Sequence, residues 1–305
     1  PGRDQRPRTG TLNERSERME MAGRRQPPTV RRRRLAAELS GLRATAKLTR
    51  EQVAEETGLS IGALFRIEKA QSRPQKRTLV LLLDLYGVTD KAERAAFVEL
   101  LRQSNELGWL QPFESALPES YQAFISFESE SSRLTDFEQA FVPGLLQTSD
   151  YARAVIRGIH PNLPMEDVES RAEVRVRRQG VLTKKNPVDL WAVMDEAVLH
   201  RTIGGADVMR AQMERLTTEA HKPNITIQVV PYGAGAHPGL QGAFVVMEFP
   251  APNPALVYVE TMTGELFLEK EAEVEQYLGN FKQLIALAAS PTESLRMIQQ
   301  AVESA

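Results

Sequence analysis

The sequence predicts two folds in one chain, an all-α amino-terminal domain joined to a carboxy-terminal α/β (α+β) domain. Three observations carry that prediction. Helix caps and tight-turn residues crowd into Thr49 to Ile67, the formal charge changes sign after residue 80, and strand-like runs alternate with helical periods beyond residue 188. At 305 residues, 42% of them hydrophobic, the chain has the length of about two domains and enough apolar side chains to give each a core.

In chain order, residues 1–29 are rich in Arg, Gly and Pro and lack apolar periodicity, so they are expected to form a disordered basic arm. Met19 and Met21 lie inside this arm, which leaves room for part of it to be upstream sequence. Val30 to Lys47 reads as the first helix, with Leu35, Leu39, Leu42 and Ala46 at helical spacing. Arg31 to Arg34 crowd its start, where cations oppose the helix dipole unless a polyanion neutralises them.

Thr49 and Gln52 have the spacing of a capping box, so a short helix should open there with Val53 and Ala54 on its inner face. Gly58 stands where the chain needs a residue tolerant of positive φ, and Leu59 is an apolar plug beneath the turn. Ser60 then caps a second helix. Leu64 and Ile67 are three apart and face inward, which leaves Ile61, Gly62, Phe65 and Arg66 on the outer face. A small Ala54 lets the two helices cross steeply. This is a helix-turn-helix pattern, whose second helix is of the kind that lies in a DNA major groove.

Thr49 to Ile67 resembles the helix-turn-helix of the Xre/Cro/phage-repressor family, with Ala54, Gly58, Leu59, Leu64 and Ile67 at that family's packing positions. Glu68 to Pro74 resembles the family's continuation after its recognition helix. The resemblance implies a five-helix, lambda-repressor-like domain over residues 30–105 that binds double-stranded DNA through residues 60–69. One departure stands out. Where relatives carry polar base-reading side chains, this chain has Ile61, Gly62 and Phe65, and apolar groups meet thymine methyls without forming bidentate bonds. Ser60, Ile61, Gly62 and Phe65 are therefore the expected base-edge contacts, and Arg50, Arg66, Lys69, Arg73, Lys76 and Arg77 the expected phosphate contacts. A single short helix reads little sequence, so a homodimer on paired half-sites is expected.

Thr78 is expected to cap the helix Leu79 to Tyr86, and a further amphipathic helix to run from Thr89 to Asn105. The charge is +10 over residues 1–80 and −12 over residues 81–305, a basic head on an acidic body, as a protein needs when only one end is to meet phosphate. Cysteine is absent, which excludes disulfides, thiolate zinc sites and thiol catalysis and suits a reducing cytoplasm. The apolar run Leu79 to Val88 is interrupted by Asp84 and falls short of the roughly 20 residues that span a bilayer, so no membrane association is expected. No apolar stretch follows the Arg-rich head, so no signal peptide is visible.

Residues 106–305 read as an acidic α/β regulatory or partner-binding domain. Helical period covers Glu119 to Phe137, Met165 to Leu182, Ala206 to His221, Glu271 to Ala289 and Thr292 to Val302, with one more helix capped near Ser149. Val188 to Met194, Ile225 to Val230, Ala243 to Phe249 and Ala255 to Glu260 read as strands. Phe141 to Arg153 (Phe-Val-Pro-Gly-Leu-Leu-Gln-Thr-Ser-Asp-Tyr-Ala-Arg), Arg178-Gln179, Asp195 to Leu199 and Ile227 to Pro231 resemble the carboxy-terminal domain of unknown function in many actinobacterial Xre-type regulators. That resemblance implies a domain that senses a small-molecule effector or binds a small partner protein encoded nearby.

Catalytic signals are weak. The glycines of Gly233 to Gly239 follow a proline and lead into a strand, which suits a connection between strands better than a phosphate loop. Asp195, Glu196 and His200 suit a helix start after a strand better than a metal site. Tyr121, Phe124 and Phe127 read as core, whereas Tyr151, Trp191 and Tyr258 are candidates to line a pocket. No catalytic residue, metal or cofactor is expected. The sequence thus points to a cytoplasmic, DNA-binding transcriptional regulator, with an antitoxin-like or partner-binding protein on a helix-turn-helix scaffold as the alternative.

Overall fold

The computed structural model describes residues 30–103, 108–251, 253–262 and 264–304. The arm expected over residues 1–29 lies outside them. The amino-terminal helices are α1 (Val30–Thr45), α2 (Arg50–Thr57), α3 (Ile61–Glu68), α4 (Lys76–Leu85) and α5 (Lys91–Gln103). They enclose one core in which Leu35, Leu39, Val53, Leu64, Leu79, Leu82 and Leu83 are fully or almost fully buried. Burying such a leucine contributes about 1.5–3 kcal/mol, so these seven positions dominate the packing of a small domain.

The start of α4 differs from the expectation. The helix begins at Lys76 behind Gln75, whose side chain makes no cap bond, and Thr78 lies within its first turn. Gln75 is extended (φ −69°, ψ 156°), so the helix opens on the residue after it. At α5 the cap is Asp90, whose Oδ1 accepts from the Glu93 amide at 2.7 Å.

The carboxy-terminal domain is built on a six-stranded mixed sheet in the order β3-β2-β1-β4-β5-β6. β1 (Arg133–Glu138), β2 (Asp189–Asp195) and β3 (Ile225–Val230) run parallel. β4 (Phe244–Glu248), β5 (Leu256–Thr261) and β6 (Gly264–Leu268) extend the other edge antiparallel. Two elements correct the sequence reading. The helical period from Glu119 stops at Glu130, forming α6 (Glu119–Glu130), and Arg133 to Glu138 is a central strand; β6 was not expected at all. The run Met165 to Leu182 also divides, into α8 (Met165–Arg177) and a 3₁₀ turn (Arg178–Leu182), after α7 (Ser149–Ile159).

Period-2 alternation sorts the strand side chains onto two covered faces. Leu134, Leu190, Ala192, Met194, Met247, Leu256 and Tyr258 pack on one face beneath α6, α7, α10 (Ala206–Glu219) and α12 (Pro291–Ser304). Phe137, Val193, Val246 and Val257 pack on the other beneath α11 (Glu271–Leu287). A short α9 (Ala197–His200) follows β2, and Asp195 Oδ1 accepts from the Ala197 amide at 2.8 Å, the helix-start role expected for that residue. The glycine-rich stretch 233–239 connects β3 to β4. Tyr151, Trp191 and Tyr258 do not share a pocket: Trp191 lies on the α11 face, opposite the other two. No helix among the described residues is long and apolar enough to cross a membrane.

Candidate nucleic-acid interface

The turn between α2 and α3 forms by local chemistry. Thr49 Oγ1 accepts from the Gln52 amide at 3.2 Å while Gln52 Oε1 accepts from the Thr49 amide at 2.8 Å, closing the capping box. Gly58 takes φ 69° and donates its amide to Ala54 O at 2.9 Å, a left-handed stop that other side chains adopt only with strain. Ser60 Oγ then accepts from the Ala63 amide at 3.1 Å and opens α3. Val53, Leu64 and Ile67 are buried and Ala54 and Leu59 half-buried, so the inner faces of both helices close on the core.

What remains outside is the outer face of α3. Ile61 is 47% and Phe65 41% exposed, and Ser60, Gly62, Arg66 and Lys69 share that exposure. Lys76 and Arg77, at the start of α4, are exposed as well. Arg73 is exposed as a residue but donates to Leu101 O at 2.7 Å, which ties its loop to α5. Burial, and after it the like charge of Arg73, lowers the pKa of Arg32 in α1.

Arg50 is engaged within the fold. Its Nε donates to Glu68 Oε2 at 2.6 Å, and its guanidinium lies 5.4 Å from the centre of the Phe65 ring. Arg43 of α1 holds the other carboxylate oxygen of Glu68 and also donates from Nη1 to Leu48 O at 2.8 Å. The hydrogen bond that Arg43 donates to Glu68 is the first cause raising the Arg43 pKa, and burial followed by the charge of Glu68 pushes the Tyr86 phenol up to about 12. Glu68, 7% exposed, therefore fastens the end of α3 to α1 and α2. Sequence reading missed this role because Arg43 and Glu68 are 25 positions apart.

The motifs singled out in the second half interlock. Gln147 Nε2 donates to Val142 O at 2.7 Å, Gln179 Nε2 donates to Gln147 O at 2.7 Å, and Arg175 Nη1 donates to Gln147 Oε1 at 3.2 Å. The fully buried Gln212 of α10 takes the Thr148 amide at 2.7 Å and donates to Leu146 O at 2.8 Å. Gly144 has a steric reason: a Cβ there would sit 2.0 Å from Arg178 Nη2. Arg178 is buried, with Nη1 3.1 Å from Glu128 Oε2 and its guanidinium 5.0 and 5.7 Å from the ring centres of Phe124 and Tyr121. Within the helical period expected over Met165 to Leu182, Arg178 gave no sign of this burial.

A family model described as "Domain of unknown function (DUF5753)" matches residues 121–300, more than half of the chain. The chain belongs to the DUF5753 family. A second model, described as "Helix-turn-helix domain", matches residues 34–97 and so spans the capping box, the turn and α3. A helix-turn-helix domain points to a DNA-binding regulator. No curated protein and no solved structure matches the chain. The DUF5753 region holds the interlocked glutamines and the Arg178–Glu128 pair; the helix-turn-helix region holds the exposed α3 face.

Proposed function

We propose that this protein is a sequence-specific DNA-binding transcriptional regulator of the Xre type. It lays α3 in the major groove, where Ser60, Ile61, Gly62 and Phe65 meet base edges. Arg66, Lys69, Lys76 and Arg77 hold phosphates, with Arg73 contributing from its loop, while Arg50 sets the pose of α3 through Glu68 and Phe65. The observation that carries this reading is the outward face of α3, apolar at Ile61 and Phe65 and flanked by exposed cations. A homodimer supplies the second half-site, and the carboxy-terminal domain tunes DNA affinity without catalysing a reaction, in response to a small effector or a small protein partner.

A salt titration of binding to DNA from the protein's own upstream region, set against random DNA of equal length, tests this. A specific regulator gives tight, selective binding whose logarithm falls steeply with salt; weak and equal binding to both DNAs overturns the reading. The exposed Ile61 and Phe65 also favour a second reading, an antitoxin-like protein whose α3 docks an apolar patch of a partner protein. Weak, equal DNA binding together with a stable protein complex broken by Phe65→Ser would support that reading.

A further inference from the structure

The outward surface of α3 divides into two rows, because residues four apart stand above one another on a helix. Ile61 and Phe65 form one row, which Lys69 ends, and Gly62 and Arg66 form the next. Arg66 lies back along its own row, with Nη1 3.5 Å from the point that a Cβ on Gly62 would occupy. Gly62 thus leaves room for the guanidinium beside the apolar row. Ser60, at the start of this surface, has its Oγ engaged as the cap of α3, accepting from the Ala63 amide at 3.1 Å. Between Ser60 and Lys69 the row of Ile61 and Phe65 is hydrocarbon only.

Phe65 is exposed and yet held. The Arg50 guanidinium lies 5.4 Å from its ring centre and is itself fixed by the 2.6 Å bond from Nε to Glu68 Oε2, while the other Glu68 oxygen accepts from Arg43. A cation against an aromatic face restrains the ring through its quadrupole. A side chain restrained in this way loses less conformational freedom when it docks.

What the row fits follows from its surroundings. It is apolar but bordered by exposed cations at Arg66, Lys69, Lys76 and Arg77, so its target is an apolar group set between negative charges. The major groove of DNA offers one such group, the C5 methyl of thymine, on a floor walled by two phosphate backbones. 5-Methylcytosine carries the same methyl at the same place. The two bases differ beside it, where thymine presents the O4 acceptor and cytosine the N4 amino donor. Ile61 and Phe65 have no polar side-chain atom with which to tell them apart.

We propose that α3 reads C5 methyl groups in the major groove, those of thymine and of 5-methylcytosine alike, through Ile61 and Phe65, with Arg50 as a positioning residue for the Phe65 ring. This deepens the DNA-binding reading and rests on it. Methylation of a cytosine that faces the row then strengthens binding, so occupancy of a site follows the methylation state of the DNA.

The test begins with duplexes that the full chain selects from a random-sequence pool. Each thymine of an enriched site is replaced by uracil, which removes only the methyl; where binding responds, the pair is exchanged for cytosine·guanine and for 5-methylcytosine·guanine. Uracil should weaken binding about three- to fivefold at a contacted position in one half-site, the effect of one buried methyl. 5-Methylcytosine should bind more tightly there than cytosine by a similar factor. Ile61→Ala and Phe65→Ala should each abolish the response at one position and keep it at others. Arg50→Gln should diminish the response at the Phe65 position, and Arg50→Lys, which keeps a cation beside the ring, should restore most of it. Wild-type protein on the exchanged duplexes needs no variant and carries the decision if Arg50→Gln does not fold. Enriched sites that lack thymine or are indifferent to uracil, equal binding of cytosine and 5-methylcytosine at the responding positions, or a response intact in both alanine variants would each overturn the proposal and leave the regulator reading standing. A pool from which nothing is enriched would overturn both.

Discussion

Arg43 of α1 and Glu68 of α3 form a two-point contact, Nη2 to Oε2 at 3.3 Å and a shorter bond from Nε to Oε1, although the Glu68 side chain is only 1% exposed. This contact and its extension to Arg50 fix the tilt of α3 against α1 and α2. A buried carboxylate with two cationic partners is stable only while both remain, because its lost hydration is not otherwise replaced.

Glu68→Gln is accordingly expected to destabilise the amino-terminal domain by about 2–3 kcal/mol, less than for a fully enclosed pair because Arg43 and Arg50 keep contact with water. Scanning calorimetry checks this. A transition at the wild-type temperature would mean that the ion pairs contribute nothing net.

Arg66→Ala should lower the magnitude of the salt slope of DNA binding by about 0.9, the contribution of one phosphate contact, with melting unchanged. Arg50→Ala should do the reverse: its Glu68 bond is lost, so stability falls while the slope changes little. Parallel salt titrations and melts of the two variants separate the roles.

Ile61→Ala removes an exposed side chain and should alter stability by less than about 0.5 kcal/mol. If its methyls meet base edges, selectivity for the preferred site over random DNA falls about tenfold, as for one lost base contact. Competition binding measures that ratio, and an unchanged ratio would remove Ile61 from the base-reading set.

Gly144→Ala places a methyl where Arg178 Nη2 lies, forcing a buried guanidinium to shift. The cost expected for such overpacking is about 1–3 kcal/mol, read as a lower urea midpoint of the carboxy-terminal domain. Gly158→Ala, where a Cβ meets nothing within 4 Å, is the control and should be neutral or slightly stabilising.

Burial pushes the Glu128 and Asp136 carboxyls up to about 7, with Arg178 opposing the rise in both. Burial and then the like charges of Asp136 and Glu260 raise Glu138 as well. A carboxyl with a folded pKa above its unfolded value binds its proton more tightly when folded. Its contribution to stability is therefore complete below about pH 4 and lost as pH rises toward about 7. Urea midpoints should decrease between about pH 5 and pH 7.5, by the equivalent of about 1–3 kcal/mol, and Asp136→Asn should flatten the dependence.

The helix-turn-helix was legible because its signals are local. The Thr49–Gln52 box, Gly58 and Ser60 act within a few residues and point to the same turns. The sheet was legible where its strands are apolar, as in β3. β1 was not, because it puts Asp136 and Thr135 at buried positions, and its apolar Leu134 and Phe137 continue the period of α6 across Ser131 and Ser132. β6 is half-buried along its whole length and carries no alternation to read. Glu68 and Arg178 escaped for another reason: their partners lie 25 and 50 positions away, and no periodicity reports a buried charge pair of that span.

The first helix of the amino-terminal domain, α1, and α6 of the carboxy-terminal domain touch one another. An effector that shifts α6 and a duplex held by α1 to α3 would then act on a shared joint. Thermodynamic reciprocity fixes the outcome: whatever factor the effector imposes on DNA affinity, DNA must impose on effector affinity, in the same direction. The joint would work as a two-way lever, and an operator fragment would be as valid a regulator of the carboxy-terminal domain as that effector is of the operator.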